Sequence, residues 1–201
     1  MVILASSKEL MKEIKENLRK EFTITDLGPI RHILGMEITR NRPKRQLLLT
    51  QKQYTIKILK KFHLDDANPV PTPIDTYTTF TKTPDDESGQ TNIPYANAIG
   101  SLMYLAVGTR PDIAFAVQTL SRYSNKPNST HWTGIKRIFR YLQGSDGLGI
   151  AYSGNGEIQL MGYSDADWGS NKDDRKSISG YTFLIGGSPV AWSSKKQATV
   201  A

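Results

Sequence analysis

Between Asn68 and Pro94 the chain reads "NPVPTPIDTYTTFTKTPDDESGQTNIP", a stretch that holds many of its ten prolines. No helix or central strand runs through such a segment, because proline lacks the backbone donor and biases the residue before it toward extended conformations. The spacing predicts an extended, solvent-exposed connector with different material on either side. A second break follows at Gly144, Gly147, Gly149, Gly154 and Gly156, where helical pattern gives way to alternating, β-rich sequence. The chain thus divides into 1–67, 68–94, 95–144 and 145–201. At 201 residues both one large domain and two small ones are compatible with its length.

In the first block "SSKELMKEIKENLRKEF" (6–22) carries apolar residues every four positions behind a Ser6–Glu9 capping-box pattern, which predicts a helix. "IRHILGMEITRN", the basic turn "RPKRQ" and "LLL" predict a β-hairpin with a positive tip. Thr50 and Gln53 repeat the capping-box spacing ahead of Tyr54, Ile58, Leu59 and Phe62, so a short helix is expected over about 51–63. Past the connector, "PYANAIGSLMYLAVGT", "RPDIAFAVQTLSRYSN" and "STHWTGIKRIFRYLQG" predict three helices packed together. "IQLMGYSDADW", "SISGYTFLIGG" and "SPVAWSSKKQ" predict three strands in an antiparallel meander, and the final "ATVA" resembles the start of a helix.

Lys and Arg outnumber Asp and Glu by 26 to 19, for a net charge of +7, which suits an anionic partner such as nucleic acid as well as a merely soluble basic protein. No apolar run approaches the roughly 20 residues of a membrane span, so no membrane partner is expected. There are no cysteines, and "MVILA" is too short for a secretion signal, so an intracellular site, cytoplasmic or nuclear, is expected. His32, His63 and His131 have no acidic or cysteine partner at metal spacing and are expected on the surface or in packing. Asp165 and Asp167 sit two apart, on one face if a strand carries both. Their repulsion has three remedies: a divalent cation such as Mg2+, a raised pKa, or a hydrogen-bonded turn in "DADWGSN" capped by Asp167, the simpler reading of the spacing.

Six runs in order, "DLGPIRHILGMEI", "LTQKQYTIKILKKF", "GSLMYLAVGTRPDIAFAV", "HWTGIKRIFRYLQG", "YSDADWGSNKDDRKSISGYTF" and "AWSSKKQATVA", make the chain resemble the Pol polyprotein of copia-type retrotransposons. The resemblance implies an α+β chain: part of a reverse transcriptase palm and a thumb-like helix (1–67), the connector (68–94), a helical thumb or connection region (95–144), and the first three strands of a ribonuclease H-like domain (145–201). The parent of such a piece performs RNA-directed DNA synthesis and hydrolyses RNA in RNA–DNA hybrids with Mg2+. By the family's order the chain starts just after the Tyr-Val-Asp-Asp signature and stops before the helix bearing the catalytic Glu. Because two-metal phosphoryl transfer needs several carboxylates, the resemblance implies a fragment that is catalytically inactive and holds no tightly bound metal.

Asp165 matches the first metal-binding aspartate of the ribonuclease H fold, insufficient alone, and Asp167 stands in the same "SDADW" run as a second candidate ligand. "HILGMEI" resembles the primer-grip hairpin, in which Gly35 would let a primer strand approach. Lys57, Lys60 and Lys61 fall on the thumb-like helix, Lys136, Arg137 and Arg140 on the connection helix, and Arg175, Lys176, Lys195 and Lys196 flank the strands near Asp165. Together they imply weak, sequence-independent binding of an RNA–DNA hybrid or other nucleic acid. The rest of the Pol polyprotein would be a further partner. The alternative is a retained, non-catalytic module that binds nucleic acid or protein.

Overall fold

The computed structural model describes residues 1–84, 89, 92–155 and 158–199. Among the described residues there are five α-helices, one short 3-10 turn and seven strands, and the strands form two antiparallel sheets. Helix α1 (Lys8–Glu21) is capped by Ser7, whose Oγ accepts the Leu10 N–H at 3.1 Å; the cap therefore falls one residue after the expected Ser6. Strands β2 (Met36–Asn41) and β3 (Gln46–Thr50) form the expected hairpin with its basic tip, while a turn at Leu34 and Gly35 folds the start of its first arm back as β1 (His32–Ile33).

Helix α2 (Lys52–Lys61) starts at Gln51 with no side-chain cap of its own. Neither Thr50 nor Gln53 forms the expected capping box; instead Glu37 Oε1 on β2 accepts the Gln53 N–H at 2.9 Å. A carboxylate reached through the hairpin's register does what the local pair was expected to do. The helix closes with Leu64 N–H donating to Leu59 O and His63 N–H to Lys60 O, while His63 takes the left-handed conformation, φ 55°. His63 is thus a helix-terminating residue on the surface, where His32 also lies.

Helices α3 (Tyr95–Gly108), α4 (Ala114–Ser121) and α5 (Ser129–Gln143) pack together as expected, and α2 joins them through Ile58 and Leu59. Leu102, Leu105, Val117, Leu120, Ile135, Ile138, Phe139 and Leu142 are fully enclosed. Burying one such side chain stabilises by roughly 1.5–3 kcal/mol, so this apolar block carries most of the fold's hydrophobic stabilisation. Among the described residues no helix is long and apolar enough to cross a membrane.

The connector is extended and, over residues 68–84, mostly exposed, with Tyr77 93 % exposed, yet it does not hang free. Up to Pro84 it is strapped onto the helices. Arg140 Nε donates to Asn68 O at 2.7 Å, Arg137 Nη2 to Thr72 Oγ1 at 2.9 Å, and Tyr123 Oη to Phe80 O at 2.8 Å. Thr83 is buried and donates to Lys126 O. Phe80 packs on the core where α5 presents Gly134: a Cβ there would lie 2.9 Å from the Phe80 ring, which accounts for a glycine in mid-helix. Prolines and threonines suit such a strap because it needs an extended backbone and side chains that bond to what lies beneath. Residues 85–88, 90 and 91, also assigned to the connector, lie outside the described residues.

His131 shows how tightly the strap is held. Its ring is 0 % exposed and stacks on Tyr123 with centroids 4.0 Å apart. Asn128 N–H donates to Nδ1, so Nε2 carries the proton and donates to Thr81 O at 2.9 Å. Burial lowers the His131 pKa below its ordinary value, outweighing the Thr81 bond and Asp173, which act the other way. The folded state therefore favours neutral imidazole. As pH falls through the unfolded-state pKa, near 6.5, the unfolded chain takes the proton first and stability declines. The thermal midpoint is expected to drop between about pH 7 and pH 5, and His131→Asn should flatten that part of the profile; an equally steep decline in the variant would dismiss His131 as its cause.

Strand β4 (Gly149–Ser153) follows the glycine-rich break yet pairs with β3, Leu49 opposite Ile150, giving a sheet ordered β1-β2-β3-β4. The expected meander is present as β5 (Leu160–Ala166), β6 (Ile178–Ile185) and β7 (Ser188–Lys196). Gly186 and Gly187, φ 56° and 78°, make the tight β6–β7 turn. β7 fastens the meander to the rest: Trp192 Nε1 donates to Ala106 O on α3 at 2.8 Å, and Pro189 O accepts from Tyr152 Oη on β4 at 2.9 Å. Ala198 and Thr199 form a bend, and the remainder of the expected terminal helix, Val200 and Ala201, lies outside the described residues.

Candidate nucleic-acid interface

Asp165 lies near the end of β5 and faces Gly180 across the pair. It is exposed, and its Oδ1 accepts the adjacent Ala166 N–H at 2.8 Å. Asp167 lies just past the strand and turns into the loop that follows. Its Oδ1 accepts the Ile178 N–H at 3.0 Å and the Ser170 N–H at 3.3 Å, and its Oδ2 accepts Ser170 Oγ at 2.6 Å. Burial pushes its pKa up, but these bonds outweigh it and hold the carboxyl below the ordinary value. Two neighbouring carboxylates therefore coexist because one is spent on closing a loop.

The other loop acids are engaged as well. Asp173 accepts the Lys82 N–H, and Asp174 accepts Lys196 Nζ at 2.7 Å, chiefly through which its pKa is lowered. Among the described residues no three His, Cys, Asp or Glu side chains cluster to hold a metal ion. Mg2+ accepts one or two carboxylates plus water, whereas a two-metal site needs more. The donor set here, one open carboxylate and one committed to its loop, does not fit a two-metal centre.

The expected basic residues fall into two groups. Lys57, Lys60 and Lys61 are exposed one turn apart on α2, with Lys61 Nζ 5.3 Å from the Phe62 ring centroid. Arg175 and Lys195 are exposed and Lys136 is half-buried on α5. These six make no ion pair within the described residues. The others are committed internally: Arg137 and Arg140 hold the connector, Lys176 Nζ donates to Ala198 O at 2.5 Å, and Lys196 pairs with Asp174. At Gly35 the close neighbour is the chain's own Tyr104, whose hydroxyl lies 2.2 Å from where a Cβ would stand.

Arg110 carries no expectation from the sequence, yet it is the largest fully buried side chain. The "TRPD" run offered a signal, since an arginine two residues before an aspartate and bracketed by apolar helices has a ready partner. The basic tip of the hairpin, Arg40, Arg42, Lys44 and Arg45, also lay outside the expected binding residues, although "RPKRQ" marked it.

The described residues form a mixed α/β fold with two antiparallel sheets and exposed cations on several elements, and comparison with known proteins adds a family likeness. Residues 1–76 match the family model described as reverse transcriptase (RNA-dependent DNA polymerase). Over its whole length the chain is 41 % identical to the retrovirus-related Pol polyprotein from transposon TNT 1-94 of Nicotiana tabacum, and 36 % identical to that from transposon RE2 of Arabidopsis thaliana. Along its whole length the chain is thus similar to Pol polyproteins of copia-type retrotransposons. It spans 15 % and 14 % of those two relatives. Over 110 residues, 55 % of this chain, it is also 49 % identical to secreted RxLR effector protein 161 of Plasmopara viticola, covering 78 % of that protein. No solved structure matches the chain.

Proposed function

We propose that this chain supplies the end of a reverse transcriptase palm and thumb (1–67), a strapped connector (68–94), a helical connection region (95–144) and the opening three strands of a ribonuclease H-like domain (145–201). In the polyprotein those parts serve RNA-directed DNA synthesis and hydrolysis of RNA in RNA–DNA hybrids. The chain's own contribution is to hold the nucleic acid, weakly and without reading sequence. What carries this reading is the division of the cations: Lys57, Lys60, Lys61, Lys136, Arg175 and Lys195 stay unpaired within the described residues while their neighbours are consumed by the fold. In a chain of net charge +7, unpaired cations favour a polyanion.

Asp165 is proposed as one ligand of a Mg2+ site completed by other parts of the polyprotein; Asp167 positions the loop beside it. On this reading the chain binds a hybrid without turning it over. The open face of the meander, where Tyr181, Phe183 and Ile185 are 46 %, 42 % and 42 % exposed, supports packing against further polyprotein segments. A retained, non-catalytic binding module is the second reading, favoured by the 49 % identity to a much shorter protein.

Titrating the chain into a labelled RNA–DNA hybrid at several salt concentrations tests the binding. With about 0.9 of a slope unit per neutralised phosphate, replacing Lys57, Lys60 and Lys61 by glutamine should lower the log–log salt slope by about 2 to 3. An unchanged slope would remove α2 from the interface. Absence of binding by the unsubstituted chain at low salt would end the reading.

A further inference from the structure

A cleft of about 500 Å3 beside the β2–β3 tip and the β6–β7 turn is lined by Arg40, Arg42 and Arg45 together with Tyr152, Ile158 and Ile185. All three arginines are exposed, as is Lys44 beside them, and none has an acidic partner among the described residues. Four cations within six residues repel one another, a cost that no carboxylate among the described residues offsets.

The tip is also held in place. Arg45 N–H donates to Arg42 O at 3.0 Å, Lys44 N–H to Asn41 Oδ1 at 3.1 Å, and the chain leaving β4 is laced to the tip by Gly154 N–H to Arg45 O at 2.7 Å. Arg45 sits at φ 51°, a left-handed conformation costing roughly 1–2 kcal/mol in a non-glycine residue. Exposed guanidiniums on a backbone held in place, lining one cleft with apolar side chains, are a specific combination. Guanidiniums take phosphate oxygens in pairs, and apolar or aromatic surface takes the face of a base. In a duplex the base faces are stacked away, so only an unpaired strand can use both kinds of surface.

We propose that this cleft seats a single-stranded nucleic acid, its phosphates on Arg40, Arg42 and Arg45 and its bases toward Tyr152, Ile158 and Ile185. The proposal rests on the nucleic-acid-binding reading above but names a place, a strand state and residues outside that reading.

Fluorescence anisotropy of the full chain with labelled oligo-dT, oligo-rU and a duplex of equal phosphate number tests it. Both single strands are expected to bind more tightly than the duplex. The variant R40Q/R42Q/R45Q should weaken single-strand binding at least tenfold and, at about 0.7 per contact, lower the salt slope by about 2. The variant R40K/R42K/R45K should recover part of the affinity, and K57Q/K60Q/K61Q should leave the preference for single strands in place. Because the arginines are exposed, matched unfolding curves are expected for all of these variants. If the glutamine variant keeps its slope while the α2 variant loses its own, the cleft is not the site although the chain binds nucleic acid. If duplex binds as well as single strands and both depend on the arginines, the single-strand assignment is wrong. If no oligonucleotide binds the unsubstituted chain, both the cleft and the broader reading fall.

Discussion

Arg110→Ala is expected to destabilise the chain by about 3 kcal/mol, the lower part of the range for removing one partner of a buried ion pair. The Arg110 side chain is 2 % exposed and that of Asp112 31 %, so water screens one side of the pair. Nε and Nη2 grip Asp112 at 3.0 and 2.8 Å, while Nη1 and Nη2 reach Ser145 O and Oγ at 2.9 and 2.7 Å. Tyr141 completes the cluster by donating its hydroxyl to Asp112 at 2.8 Å, with its ring 5.6 Å from the guanidinium. The group bolts the end of α3 to the end of α5. Alanine would leave Asp112 short of its cation and open a cavity the size of the lost side chain. Lysine should rescue little, because a single ammonium cannot fork between Asp112 and Ser145. Urea unfolding with an unchanged m-value measures the loss; a loss under about 1 kcal/mol would make the cluster an ordinary surface pair.

Gly35→Ala is expected to cost about 2–3 kcal/mol, from turn strain of roughly 1–2 and a lost hydrogen bond of about 1. Leu34 and Gly35 form a two-residue hairpin turn with φ 48° and 70°, both left-handed. Tyr104 Oη donates to Leu34 O at 2.5 Å and occupies the space a Cβ at position 35 would need. In a Tyr104→Phe background, with the hydroxyl already gone, the same substitution should cost about 1 kcal/mol less, a coupling that a double-mutant cycle isolates. Equal costs in both backgrounds would show that the turn alone demands glycine. The same geometry bears on function. Tyr104 fills the direction a Cβ would take, while Gly35 itself stays exposed.

The helices and meander strands were legible in the sequence because each writes its burial pattern locally, as in the Ile135, Ile138, Phe139 and Leu142 stripe of α5 or the alternation of β6. The helix caps were less so. Ser6–Glu9 and Thr50–Gln53 have the right spacing, yet Ser7 caps one helix and Glu37, from a neighbouring strand, covers the start of the other. Spacing shows which residues could meet, and only the chain's path shows which do.

The candidate site follows the same division. By itself the sequence determined the family likeness, the basic character, the extended course of the connector and the placing of Asp165 on a strand, all properties of residue type and order. Tertiary structure decided which charges remain available. Arg137 and Arg140 looked equivalent to Lys136 until the connector claimed them as hydrogen-bond partners, whereas Asp167 closes the loop after β5, the turn role its sequence favoured. Tertiary structure likewise brought β4 across to β3 and set the basic tip beside the β6–β7 turn. The physical reason is that a charge or a strand edge is satisfied by whatever lies within about 3 Å of it, and residues 65 to 111 positions apart become neighbours only when the chain has folded.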